Sequence, residues 1–362
     1  MTIVAHTHQF VIGADTHARN HALAILAAPT GEIIDDAQFP ATATGLSRAV
    51  AWVGRRTGGD LDALWVIEGI GTYGARLARA AANAGYLVVE AARMNARGHR
   101  GVGKSDPIDA RRIAQAVLPL DTTQLRTPRA DEGVRGAVRV LIAARDHMST
   151  ERTAAVNALT ALLRVTDLGI DARRALTGTQ IATVAAWRTR TENLAVATAR
   201  AETIRLAKRV VALDEELKAS SKQMTELVEH SPARVLLEQP GIGPVTAAVA
   251  LAAWSHHGRL RNEAAFASLA GVNPIPASSG NTVRHRINRG GDRRLNRALH
   301  MAIVTRMRMD PATRAYVERR TAEGRTSKEI RRCLKRYLAR QIYRQLNAAA
   351  LNTAAQAQPA AA

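Results

Sequence analysis

Apolar and polar positions follow two different rhythms along this chain. Up to about residue 125 the apolar residues come in short runs bounded by turn formers: QFVIGADTH (9–17), HALAILA (21–27), LWVIEG (64–69) and YLVVEAA (86–92), with Gly31 to Asp35 as a further strand candidate. An Ala/Arg-rich stretch over 73–84 has helical spacing. Strand-length runs interleaved with helix predict an α/β domain. Between about 130 and 230 the strand signals vanish. Segments 136–163 and 191–228 carry apolar residues at helical spacing among many charges, with neither Pro nor Gly inside the second. They predict two long helices, paired antiparallel or forming a dimerising coiled coil. Beyond the turn pair Ser231-Pro232, segment 236–254 reads as a helix, a Pro-Gly-Ile-Gly-Pro hairpin and a second helix. Turn formers dominate 273–295, helices are predicted over 292–308 and 310–345, and 351–362 is low-complexity. The expected organisation is an α/β domain over 1–125, a helical coiled-coil region over 126–230, a mainly helical C-terminal domain over 231–348 with a helix-hairpin-helix, and a disordered tail over 349–362.

Length agrees with more than one domain, since 362 residues exceed the ~150 of a typical domain. Charge adds a partner. The chain carries +20 at neutral pH, and residues 1–120, 121–230 and 231–362 contribute +2, +3 and +15. Such an excess points to a polyanion, most simply nucleic acid. Aromatics make up only 3%, which argues against extensive base stacking and for contact with backbone phosphates. The single cysteine, Cys333, excludes an internal disulfide or a cysteine-rich zinc site and suits a reducing compartment. The longest apolar stretch, Val245 to Trp254, is about half of a membrane span. The N-terminal sequence lacks the basic-then-apolar pattern of a secretory signal. A cytoplasmic protein without membrane contact is the expectation.

Four acids stand out by position. Asp15 ends the first strand run, Glu68 ends the run Leu64 to Ile67, and Asp106 and Asp109 lie i and i+3 at the start of a predicted helix, where their carboxylates share a face. Two strand-end acids with two helical ones is how an RNase H-like sheet gathers hard oxygen ligands. Such a set suits Mg²⁺ or Mn²⁺ in phosphodiester chemistry. A structural alternative stays open for three of them. Asp106 before Pro107 fits an N-cap, Asp109 then suits the helix dipole at N3, and Asp15 suits a turn. Glu68 beside its apolar run needs a partner or a metal. Asp35, Asp36, Asp60 and Asp62 are expected to face solvent.

The C-terminal third carries the phosphate-binding candidates. Gly241 and Gly243 of the hairpin would let backbone N–H groups approach a phosphate, against the alternative of a plain helix–helix turn. Arg284, Arg286, Arg289, Arg293, Arg294 and Arg297 read as a cationic surface, with His285 unassigned among them. Ser278-Ser279-Gly280 precedes that cluster. A serine flanked by cations can attack phosphorus, although the same tripeptide also suits a flexible loop. Trp254 and Phe266 are expected in the core, and Cys333 as a buried spacer.

At GADTH, VIEGIGTYG, GKSDPIDA, EQPGIGPVTAA, LAGVNPIPASSG and NRGGDRRLNRAL, in this order over about residues 10–345, the chain resembles the insertion-sequence transposases of the IS one-ten type. These carry an Asp-Glu-Asp-Asp tetrad and include RNA-guided bridge recombinases. The resemblance implies an N-terminal domain like the RuvC-type Holliday-junction resolvases, a coiled-coil middle and a C-terminal transposase domain with a catalytic serine. Carried over by position, the metal-binding tetrad is Asp15, Glu68, Asp106 and Asp109, and the nucleophile is Ser279, with Ser278 as fallback. It also implies donor and target DNA, a structured guide RNA, a dimeric or tetrameric assembly with acids and serine in a composite site, and a place at the bacterial nucleoid. The rival reading is a metal-dependent junction endonuclease without a covalent serine intermediate.

Overall fold

The computed structural model describes residues 2–91, 105–130, 132–282 and 284–357. The chain divides into two compact units, residues 1–129 and 130–362.

The first unit is built on one mixed sheet. After a short helix α1 (Val4–Thr7) come β1 (Phe10–Thr16), β2 (Asn20–Ala27) and β3 (Ile33–Pro40), then α2 (Ala43–Arg56), β4 (Leu64–Ile67), α3 (Ala75–Asn83), β5 (Val88–Glu90) and α4 (Asp106–Gln115). The strand order is β3-β2-β1-β4-β5. Strands β1, β2 and β3 pair antiparallel, whereas β4 and β5 join parallel to β1. The apolar runs are continuous because helices cover both faces. Ile12, Ala14, Trp65 and Ile67 pack with Leu46, Trp52 and Leu77 of α2 and α3. Val11, Leu64 and Val66 face Ala110, Ile113 and Ala114 of α4. Residue parity along β1 and β4 therefore decides which helix layer a side chain meets. β3 runs five residues beyond the expected Asp35, and Asp35 and Asp36 on it are half-buried. Each holds a cation rather than facing solvent: Asp35 pairs with Arg56 and Asp36 with Arg111 of α4.

Among its described residues the second unit is helical apart from one small hairpin. It comprises α5 (Gly133–Val165), α6 (Gly178–Ala185), α7 (Leu194–Glu229), α8 (Pro244–Trp254), α9 (Glu263–Leu269), β6 (Pro274–Pro276), β7 (His285–Ile287), α10 (Arg293–Met309), α11 (Pro311–Ala322) and α12 (Ser327–Ala357). The long helices α5 and α7 run antiparallel within the chain, tied by Arg152–Asp214 and Arg209–Glu151. Their far ends enclose a small core with α6 around Leu159, Ile181 and Ala207. Their near ends, through Ile142 and Met224, join the main core of Trp254, Phe266, Leu299 and Ile342. There the Trp254 indole N–H donates to Asn347 Oδ1 at 2.9 Å. No helix among the described residues is long and apolar enough to cross a membrane.

Three local expectations change. The arm before the Gly-Ile-Gly hairpin is a five-residue 3-10 turn, Pro232–Leu236, not an α-helix. The predicted helix 310–345 is two helices, broken at Gly324 with φ +77°. The expected disordered tail continues α12 as helix to Ala357, consistent with the high helix propensity of its Ala, Leu and Gln residues.

Candidate functional site

Strand parity and one glycine build the acidic site. Asp15 lies on the α4 side of β1, two residues beyond Gly13, and is only 8% exposed. A Cβ on Gly13 would stand 2.0 Å from Ala110 O and 2.7 Å from Ala114 N. Only glycine lets α4 lie this close to the strand. Asp106 is one turn before Ala110, so this contact brings the helix's first turn toward Asp15. The N-cap of α4 is Ser105, whose side chain makes no capping bond, and Asp106 is the first helical residue. This corrects the capping alternative for Asp106.

His17, just past the end of β1, joins the two acids. Its Nε2 lies 3.1 Å from Asp15 Oδ2 and 3.6 Å from Asp106 Oδ1. One ligand atom from each of Asp15, His17 and Asp106 lies within 4.8 Å of the others. Two carboxylates and an imidazole form a donor set suited to a divalent ion such as Mg²⁺ or Mn²⁺. His17 was missed in the sequence, although i, i+2 spacing from Asp15 in GADTH signals the same face of a strand.

The other two acids stand nearby in the fold but outside that trio. Glu68 directly follows β4, in step with Asp15. Its N–H donates to Ala14 O at 3.0 Å, and its C=O accepts from Thr16 Oγ1 at 2.8 Å. By parity Glu68 belongs with Leu64 and Val66 on the α4 side, and it is exposed. Asp109 accepts from Arg112 Nη1 at 3.0 Å. The remainder of the GKSDPIDA motif before Ser105 lies outside the described residues.

In the second unit, β6 and β7 pair as a hairpin within the turn-rich segment. At its tip Ser279 and Thr282 exchange backbone hydrogen bonds at 3.3 and 3.2 Å across Gly280-Asn281. Gly280 has φ +56°, the left-handed value that the first central position of a II′ hairpin turn requires. Ser278 Oγ accepts from the Arg284 N–H at 3.2 Å. Ser279 is exposed at the tip.

The arginines divide into two groups. Arg284, Arg286, Arg289 and Arg293 are exposed on or after the hairpin. Arg294 and Arg297 on α10 both pair with Asp146 of α5, so part of their charge is answered inside the protein. Of the hairpin glycines, Gly241 has φ +74°, and a Cβ there would meet Ala302 O at 2.6 Å, whereas Gly243 has open space. Gly241 thus serves the packing of the turn on α10, where Arg306 Nε donates to Pro240 O at 2.7 Å.

Residues 12–166 match the family model of the DEDD-type IS110 transposase, and residues 233–318 match that of the IS116/IS110/IS902 transposase family. All four acids fall within the first match, and Ser279 with the arginine cluster within the second. The chain is 37% identical over 123 residues to an uncharacterised 43.6 kDa protein of insertion element IS110 from Streptomyces coelicolor, covering 33% of this chain and 30% of that protein. It is 31% identical over 276 residues to an uncharacterised 42 kDa protein of insertion element IS900 from Mycobacterium paratuberculosis, covering 63% of this chain and 67% of that protein.

Proposed function

The chain belongs to the IS110 family of transposases, and from that premise we propose that it cuts and exchanges DNA strands using a divalent-metal acidic site and a serine nucleophile. The observation that carries the reading is the convergence of Asp15, His17 and Asp106 within 4.8 Å, on a mixed sheet whose order is consistent with an RNase H-like domain. We assign Asp15, Asp106 and His17 as the nearest ligands, with Glu68 and Asp109 completing the set and Asp109 exchanging Arg112 for metal. A divalent ion held there would stabilise charge on the reacting phosphate oxygens.

Ser279 is the proposed nucleophile. Its exposed place on a tight turn, beside a serine whose hydroxyl is engaged with Arg284, favours it over Ser278. As the Ser279 Oγ–phosphorus bond forms, the hydroxyl gives up its proton, a phosphorus–oxygen bond of the DNA strand breaks, and the departing sugar oxygen takes up a proton. Bond number is conserved, so a second strand can reseal onto the phosphate without ATP. Arg284 and Arg286 hold phosphate charge near the tip. On the same reading, the cationic second unit binds the backbones of DNA and of a structured guide RNA, with base pairing carrying specificity. Two or more copies of the chain hold donor and target together, and the antiparallel α5 and α7 offer an extended surface for that assembly.

The test is covalent trapping on DNA carrying the element's ends, in Mg²⁺, read on a denaturing gel. Wild type and Ser278→Ala should give a protein–DNA adduct, and Ser279→Ala none. Asp15→Asn should slow cleavage about 10²-fold or more, and chelation should stop it. His17→Ala should weaken Mn²⁺ binding about 10–100-fold, read by titration. Cleavage without any adduct would identify a hydrolytic endonuclease and remove the serine from the mechanism.

A further inference from the structure

Between the β6–β7 hairpin and α12 lies a cavity of about 260 Å³. Its lining combines two chemistries. Val272, Pro274 and Ile287 give an apolar surface, and Arg289, Arg293 and Arg336 stand among six cationic side chains. No described lining residue is acidic. The ammonium of Lys335 donates to Asn296 Oδ1 at 3.0 Å. Burial first, then Arg332 and Arg331, hold its pKa below the usual lysine range. Cations crowded without a lining carboxylate repel one another until an anion arrives.

The cavity wall is fixed by close backbone packing. A Cβ on Gly291 would stand 2.4 Å from Gly271 N, so two loop segments cross with no room for a side chain. The amides around it are occupied. Asn288 Nδ2 donates to Ser268 O and Asn273 Oδ1, and its Oδ1 accepts from Gly290 N–H. Asn296 Nδ2 donates to Ala270 O. With these groups committed to holding the shape, the cavity presents cationic charge and apolar surface. Its volume lies near the lower end of small-ligand sites, ~300 Å³, which suits one base with its sugar and excludes a helical duplex.

We propose that this cavity holds one unpaired nucleotide of a DNA strand, its base against Val272, Pro274 and Ile287 and its phosphate among Arg289, Arg293 and Arg336. The inference rests on the reading that this chain acts on DNA, and it adds a subsite to that reading. The hairpin that bounds the cavity also carries Ser279 at its tip, so a nucleotide seated here anchors the strand on the element that presents the serine. Extrusion of a base from its stack is easiest where pairing is already broken, as it is during strand exchange.

Cys333 lines the same cavity and is the chain's only cysteine, so its alkylation rate reports occupancy in the full-length protein. At ten times its dissociation constant, single-stranded DNA should slow alkylation roughly tenfold, and deoxyadenosine monophosphate should do the same at its own saturating concentration. A fully paired duplex should give little protection. The double variant Arg289→Gln/Arg336→Gln should lose protection while melting at the wild-type temperature. As a second measurement, 2-aminopurine within the strand should brighten on wild type, as the base leaves its stack, and stay dark on the double variant. The proposal is overturned by unchanged alkylation together with unchanged fluorescence at saturating single-stranded DNA. Equal protection by inorganic phosphate alone, which would mark a simple anion site, overturns it as well, and so does stronger protection by RNA of the same sequence. Running the assays on Ser279→Ala separates the two ideas. Protection that persists in a variant still forming adducts removes the serine from the mechanism and leaves the pocket standing. Ser279-dependent adducts with freely alkylated Cys333 remove the pocket alone.

Discussion

His17 and His21 sit at neighbouring strand ends and meet opposite environments. His17 is half-exposed and lies between two carboxylates. His21 faces Thr16 across the β1–β2 ladder, on the sheet face opposite Asp15. It is 1% exposed. Burial, ahead of an opposing backbone contact at Asn20 and the nearby charges, pushes its pKa below the ordinary 6.5. The unfolded chain therefore binds a proton near pH 6.5 that the folded chain refuses. The unfolded state holds more protons in that window, so stability rises with pH through it and is lost as pH falls, by at most about 1.4 kcal/mol per unit. Urea denaturation between pH 7.5 and 5.5 should show this loss, and His21→Phe should show less of it than wild type. An equal loss in both would mean that the buried imidazole is not its source. Neither histidine's part could be read from residue type. An exposed histidine between two carboxylates and a buried one differ only in strand parity and in what packs above them, and parity needs the strand ends placed to within one residue.

At the scale of elements, the acidic site depends on how closely α4 lies on β1. Gly13→Ala puts a methyl group within 2.0 Å of the Ala110 carbonyl oxygen, so helix and strand must separate. Overpacking of this kind costs about 1–3 kcal/mol, and it moves Asp106 away from Asp15. Denaturant unfolding should record that loss, and metal titration should weaken even at temperatures where the variant is folded. Unchanged metal affinity would mean that Asp106 does not depend on the Gly13 contact. The strands that carry Asp15 and Glu68 were legible because both faces of β1 and β4 are covered, leaving unbroken apolar runs. The i, i+3 spacing of Asp106 and Asp109 likewise marked the start of α4. Helix α2 was not legible: only Leu46, Ala49, Trp52 and Val53 among its apolar residues are buried, diluted by Gly, Ser and Arg. The β6 and β7 strands escaped notice for a different reason, being three residues each and exposed, with β6 beginning and ending in proline. The Asp146 pairing of Arg294 and Arg297 lay beyond sequence reading too, because it joins residues about 150 apart and depends on how α5 meets α10.

For the whole molecule the charge follows the two units. Residues 1–129 carry +3 and residues 130–362 carry +17, so total charge conceals a near-neutral unit and a strongly cationic one. Each phosphate neutralised by an arginine releases condensed counterions, and the logarithm of DNA affinity falls with the logarithm of salt by about 0.9 per contact on duplex. Arg284, Arg286 and Arg293 are exposed on the second unit, and Arg48, Arg55 and Arg79 on the first. Both triple Arg→Gln variants remove the same net charge from the full-length chain. If phosphate contact is local to the second unit, the first variant should flatten the salt dependence by about two to three units, and the second should leave it near the wild-type slope. Fluorescence anisotropy on a fixed duplex at 50 to 300 mM salt distinguishes them. Equal flattening by both variants would mean that the protein binds through its summed charge, with no division between a unit that holds DNA and a unit that collects metal.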